Sequence, residues 1–151
     1  LSQYTAEDAV IADSPIVSNH LSIREFVNNY VIGKERWKKF IVVDENQQLL
    51  GSITTEDFKQ IHTSDWNDVY LTELVKPVPE ADIIAADTSL LEAAKLFETT
   101  QTRELIVVSG AGKVLGLLEK ASIIKLMTEQ ENIKNKSAIE SAQEEEKAII
   151  N

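Results

Sequence analysis

F-I-V-V-D-E-N-Q-Q-L-L-G-S-I-T-T-E-D-F-K-Q-I, residues 40–61, reads as a strand, a polar turn, a second strand and the opening of a helix. A shift of 65 positions lays residues 105–126, L-I-V-V-S-G-A-G-K-V-L-G-L-L-E-K-A-S-I-I-K-L, upon it. Ile41, Val42, Val43, Leu50 and Gly51 then meet Ile106, Val107, Val108, Leu115 and Gly116. Apolar side chains also meet at Phe40/Leu105, Leu49/Val114, Ile53/Leu118, Phe58/Ile123 and Ile61/Leu126. A match that keeps both the apolar pattern and the glycine is an internal repeat.

The same cycle extends upstream. Thr5-Ala-Glu-Asp8 opens a short capped helix, and Pro15 turns the chain into the extended pair Ile16-Val17. Ser22-x-x-Glu25 is a capping box before an apolar face of Ile23, Phe26, Val27 and Tyr30, and Gly33 is placed to end that helix. In the second half Leu71–Lys76 is a helical turn stopped before Pro77. Ile83-Ile84 is extended, and Ser89-x-x-Glu92 precedes Leu90, Ala93, Ala94 and Phe97. Here the register is 67 rather than 65, so two extra residues fall in the basic loop Lys34–Lys39 of the first copy. Each half is therefore strand–helix–strand–strand–helix.

The expected fold class is α+β, two tandem β-α-β-β-α repeats packed as a pseudo-two-fold disc with a C-terminal helical extension. The repeats are placed at 8–66 and 67–128. Copies of about 60 residues are marginal alone, so they are expected to share a core. Trp66, in the polar stretch between them, is expected to anchor one half to the other. Residues 129–151 are rich in Glu, Lys and Gln with a thin apolar stripe, and are expected to form an acidic tail that is either disordered or a helix partly exposed, frayed or engaged with another chain.

Composition narrows the function. With a net charge of −10 the chain lacks the basic face of a general nucleic-acid binder. It has no cysteine, which removes disulfide and thiolate chemistry and fits a reducing compartment. No apolar run reaches the length of a membrane span and no signal-peptide pattern opens the chain. A start at Leu1 rather than Met is the start expected of a piece of a longer protein. His20 and His62 are the only histidines and stand at no ligand spacing, so no metal is expected. No nucleophile elbow, phosphate-binding Gly-Lys loop or paired-carboxylate motif is present, and catalytic residues are expected to be absent.

The polar feature left over is Gly51-Ser-Ile-Thr54-Thr-Glu-Asp57. A strand that ends beside a glycine and passes through Thr and Asp into a helix puts a hydroxyl and a carboxylate beside unpaired backbone N–H groups. Those groups attract an anion, and the carboxylate can accept both hydrogens of a ribose diol. Thr54-x-x-Asp57 equally fits a capping box in which the two residues serve each other's backbone. The second copy has Glu119 and Ser122 instead, so the fold itself does not require the pair. The basic island Lys34, Arg36, Lys38, Lys39 in an acidic chain is a second candidate for holding phosphate, against an ordinary solvated loop.

A tandem repeat of this topology, with V-V-D before the turn and G-x-I-T-x-x-D after it, resembles a paired CBS domain, the Bateman module, over about residues 8–128. That resemblance implies two clefts related by the pseudo-dyad, binding of an adenine nucleotide (AMP, ADP or ATP), and regulation of an attached protein. It carries Thr54 to the ribose or phosphate, Asp57 to the ribose hydroxyls, Val17 and Ser18 to the adenine wall, and Lys38 and Lys39 to phosphate. Arg103, aligned with Lys38, would reach across the pseudo-dyad, whereas Glu104 stands opposite Lys39 and would repel phosphate. One nucleotide site is thus expected, in the first-repeat cleft.

The wording A-D-S-P-I-V-S, R-E-F-V-N-N-Y-V-I-G and R-W-K-K-F-I-V is further similar to CBS pairs attached to bacterial membrane-embedded site-2-type zinc metalloproteases, the peptidase M50 family. It implies a regulatory piece in the cytoplasm or at the cytoplasmic face of a membrane. A homodimer and an attached protease domain are its implied partners, and nucleic acid is not. A ligand-free interaction and dimerisation module is the rival reading.

Overall fold

The computed structural model describes residues 3–150. Two three-stranded sheets carry the fold. The first joins β1 (Ile16–Ser18), β2 (Lys39–Val43) and β3 (Leu49–Thr54), with β1 parallel and β3 antiparallel to β2. The second repeats it with β4 (Ile83–Ala85), β5 (Glu104–Val108) and β6 (Val114–Glu119). Helices α1 (Ile23–Phe26) and α3 (Leu90–Thr100) follow the first strand of each sheet, and α2 (Thr55–Lys59) and α4 (Lys120–Ile150) follow the third. Even the register shift in each hairpin recurs, at Val42/Val43 and at Val107/Val108. The α+β tandem-repeat expectation is met.

Local chemistry explains the helix starts. Ser22 Oγ accepts the Glu25 N–H at 3.1 Å and Glu25 Oε1 accepts the Ser22 N–H at 3.1 Å, completing the box. At Ser89 only the half in which its hydroxyl accepts from Glu92 is made. Helix α1 widens into a π turn over Val27–Val31, closed by the Ile32 N–H on the Val27 carbonyl at 2.9 Å, and Gly33 ends it at φ +74°.

Alternation along each strand sends one face to the helices and the other to the partner sheet. Val17, Ile23, Phe26, Phe40, Val42, Ile53 and Phe58 make the first helix-side core, and Ile84, Leu90, Ala93, Phe97, Leu105, Val107 and Leu118 the second. Ile41 and Val43 meet Ile106, Val114 and Leu117 in a third cluster between the sheets. Trp66 departs from expectation. Its ring lies edge-on to Phe58 at 5.6 Å, its Nε1 donates to the Ile61 carbonyl, and Arg24 covers it, so it belongs to the first-repeat core alone.

Each core is completed by the segment that precedes the other repeat. The turn Ala6–Ala9 delivers buried Ala6 to the second core, and the turn Leu71–Glu73 delivers buried Leu71 to the first. The two segments then cross their third strands in equivalent ways. Lys76 exchanges backbone hydrogen bonds with Ser52 at 2.8 and 2.9 Å, and the Ile11 N–H donates to the Leu117 carbonyl at 2.9 Å. The shared glycine lies at the crossing. A Cβ at Gly51 would sit 2.1 Å from the Lys76 carbonyl oxygen, and one at Gly116 would sit 2.3 Å from Val10 Cγ1. The glycine that revealed the repeat is thus required by the approach of another segment.

Helix α4 starts against the second sheet and the Ala6–Ala9 turn, with Ile123 buried, then runs outward as a single helix with its distal turns exposed.

Candidate functional site

The end of β3 and the first turn of α2 place Thr54 and Asp57 as the sequence implied. Thr54 is the N-cap residue, with an extended backbone, and Asp57 Oδ2 accepts its N–H at 2.8 Å. The capping reading is therefore satisfied in the structure, but it uses only one carboxylate oxygen. The other, Oδ1, accepts from Lys76 Nζ at 2.8 Å. The Asp57 side chain is only 12% exposed whereas that of Lys76 is 70% exposed, so a flexible ammonium closes over a largely buried carboxylate. Burial works to raise the Asp57 pKa. The hydrogen bond from Lys76, the Thr54 backbone N–H and the lysine charge overcome it, holding the carboxyl below its ordinary range.

Lys76 belongs to the segment that crosses β3, which is why a residue 19 positions downstream reaches this helix start. Sequence reading did not select it. The available signal was its position directly before Pro77, aligned with Ile11 at the repeat shift of 65.

The remaining candidates divide. Lys38 lies beside the site through its backbone, its carbonyl accepting the Thr55 N–H at 3.0 Å, and Lys39 pairs with Thr54 across β2 and β3. Both side chains belong to exposed residues, and among the described residues neither forms an ion pair. Lys39 and Arg103 do come together across the pseudo-dyad, lining with Glu104, Pro15 and Asp82 a small cavity of about 100 Å³. Drug-sized ligand pockets start near about 300 Å³, so this one is too small for a nucleotide. Burial, with the Glu119 carboxylate opposite, raises the Glu104 pKa, and Lys39 pulls it partly back.

Val17 is not on a cleft wall. It is 2% exposed and packed among Ile23, Phe26 and Val42 on the helix side of its sheet, because alternation along β1 turns it inward. Ser18 caps the following turn, its Oγ accepting the His20 N–H at 3.1 Å.

Arg36 also departs from the basic-island reading. It forms an ion pair with Asp13 at 2.8 Å, approaches Glu119 at 3.8 Å and stacks on Trp37 at 4.7 Å. That places it at the second-repeat cleft, an opening of about 520 Å³ which Ile11, Asp13, Glu119, Ser122 and Lys125 also line. Under the repeat shift, Ile11 and Ser122 occupy the places of Lys76 and Asp57. There an alkyl chain and a hydroxyl stand in place of the ammonium and the carboxylate.

Among the described residues no group of His, Cys, Asp or Glu is arranged to hold a metal ion, and no helix is long and apolar enough to cross a membrane. The Thr54–Asp57–Lys76 arrangement sets a hydroxyl, a carboxylate and an ammonium side by side. It contains no nucleophile–base pair for bond making.

Comparison with known proteins agrees with this geometry. Residues 71–129 match the CBS domain family. A protein of Synechocystis sp. (strain ATCC 27184 / PCC 6803 / Kazusa) named "Putative zinc metalloprotease sll0528" is 47% identical over 127 residues, 84% of this chain. The chain spans only 34% of that relative's length. Among solved structures, a CBS domain pair/ACT domain protein of Thermotoga maritima superposes with a TM-score of 0.63 at 19% identity, covering 84% of this chain and 98% of that one. CBSX2 in complex with AMP gives 0.61 at 22% identity, covering 85% and 98%.

Proposed function

We propose, from the premise that the chain carries a CBS domain at residues 71–129 and has the fold of a CBS domain pair, that it is a non-catalytic regulatory module binding an adenine nucleotide in its first-repeat cleft. The observation that carries the reading is the Asp57 carboxylate, kept ionised at a helix start beside the Thr54 hydroxyl and bonded to the Lys76 ammonium, with the backbones of Lys38 and Lys39 alongside. An ionised carboxylate suits a ribose diol, and the Lys76 ammonium suits phosphate. CBSX2, which shares the fold, is known with AMP bound, and this supports the same ligand class here. Thr54 would meet the ribose or phosphate and Asp57 the ribose hydroxyls, with Arg103 at the dyad. Because the Synechocystis relative is named a zinc metalloprotease, the regulated partner is proposed to be an attached protease domain, and the module is proposed to act as a homodimer.

A nucleotide filling the cleft would alter the angle between the repeats, and that difference in binding to two arrangements is what an attached domain could sense. Thermal denaturation with AMP, ADP and ATP tests the reading. A ligand at one hundred times its Kd adds about 2.7 kcal/mol, or about 5–10 °C for a chain of this size. Asp57→Ala is expected to abolish the ligand-induced increment, measured against its own unliganded melting point because the cap is lost as well. No increment with any of the three at millimolar concentration would overturn the reading.

A second reading, an interaction module without a small ligand, is favoured by α4. Its distal part exposes Ile133 at 58% and Ile139 at 59%. Light scattering before and after removal of the helix beyond Glu129 separates the two, because only this reading ties self-association to the helix.

A further inference from the structure

Resting on the nucleotide reading of the first-repeat cleft, we infer that Lys76 is a latch which makes the cleft selective for ribose ligands carrying a negative charge. The Lys76 ammonium occupies the one oxygen of Asp57 that the helix cap leaves free. Each Asp57 oxygen already accepts one donor, the Thr54 N–H on Oδ2 and the ammonium on Oδ1, so a diol reaching both oxygens competes with the ammonium for Oδ1. An uncharged nucleoside weakens or displaces that charge-assisted hydrogen bond and offers the ammonium no anionic partner in exchange. A phosphorylated nucleoside supplies the replacement partner, drawing the ammonium onto its own oxygens as the diol takes the carboxylate.

Three features of the structure support the exchange. The Lys76 side chain is 70% exposed, so it can swing without disturbing the core. Its backbone is pinned to Ser52 by a pair of hydrogen bonds, so the side chain moves from a fixed root beside the cleft. The equivalent cleft of the second repeat has neither partner of the exchange, with Ile11 and Ser122 in these two places. The latch also lies directly before Pro77-Val78-Pro79, the segment leading into the second repeat, so its release occurs where the two halves are joined.

Titration calorimetry of the whole chain with AMP, adenosine and inorganic phosphate tests the latch in wild type, Lys76→Met and Lys76→Arg. Wild type is expected to bind AMP at least about tenfold more tightly than adenosine, the scale of one charge-assisted bond. In Lys76→Met adenosine should tighten several-fold and AMP weaken, so that the preference collapses, while Lys76→Arg should keep it. Cooperative melting of the unliganded variants confirms that they fold. If wild type binds AMP and Lys76→Met keeps the same AMP-to-adenosine ratio, the latch is wrong and the nucleotide reading stands. If wild type binds neither AMP nor adenosine, and ADP and ATP in the same calorimeter fail as well, the nucleotide reading fails and the latch falls with it. Equal binding of AMP, adenosine and phosphate by wild type would overturn the selectivity directly.

Discussion

Replacing Gly51 by alanine tests the crossing of the inter-repeat segment over β3. The new Cβ would lie 2.1 Å from the Lys76 carbonyl oxygen and 2.9 Å from its carbon. Both are backbone atoms and cannot rotate away. The segment has to retreat by about an ångström, which stretches or breaks the two hydrogen bonds between Ser52 and Lys76. Two backbone bonds at about 1 kcal/mol each, with about 1 kcal/mol of overpacking strain, give a loss of about 3 kcal/mol. For a chain of this size that lowers the melting temperature by about 6–12 °C. Circular dichroism melts and urea titration measure it, with Gly110→Ala as the control because a Cβ there meets nothing within 4 Å. Gly116→Ala should cost less than Gly51→Ala, since its nearest neighbours are the side chains of Val10 and Ser14, which can turn. A Gly51→Ala protein that melts within about 2 °C of wild type, or a control that falls as far, would refute the reasoning.

Two further outcomes follow from burial and charge. Glu104 is partly buried opposite Glu119, and its pKa is raised in the fold. A carboxyl with a raised folded pKa binds its proton more tightly in the folded state. Its ionisation therefore costs stability above that pKa, and the cost disappears as pH falls through it toward the unfolded value. Glu104→Gln should thus stabilise the chain at pH 7 by about 0.5 kcal/mol, or 1–2 °C. The gain should shrink toward pH 4, and an equal gain at both pH values would contradict the assignment. Truncation after Lys134 removes, among the residues whose burial is described, exposed positions alone, and should leave the melting temperature within about 2 °C of the full chain. A larger loss that depends on protein concentration would instead tie the distal helix to self-association.

The strands were legible because each repeat states them twice. Ile41, Val43, Ile106 and Leu117 alternate with residues facing the helices, and the match at 65 positions made both sets visible before any contact was known. What the match could not show was which repeat each flanking segment completes. Ala6 lies close in sequence to the first repeat and is buried in the second, and nothing local in a four-residue turn distinguishes the two. Trp66 was misplaced for the same reason. A large aromatic in a linker must be buried somewhere, but composition does not say against which half.

The site was legible only where it is local. Thr54 and Asp57 sit on one turn, so their spacing gave both the cap and the possible ligand contact, and the structure uses the carboxylate for the cap while leaving one oxygen for another partner. That partner, Lys76, comes from 19 residues away, and the pairing exists because the crossing segment lies on a glycine. The basic island misled for the converse reason. Arg36 is near Lys38 in sequence, yet the longer loop carries it to Asp13 and toward Glu119, at the opposite cleft. Charge counted along the chain overstates the cation available to the first cleft, and Lys76, which the count overlooked, is the cation in contact with its carboxylate. The two clefts therefore differ at Lys76/Ile11 as well as at Thr54 and Asp57, and a double substitution distinguishes the two contributions. Lys76→Ile with Asp57→Ser gives the first cleft the second cleft's residues at both positions and should open it without restoring ribose recognition. Lys76→Ile alone should open it and leave the carboxylate free for a diol.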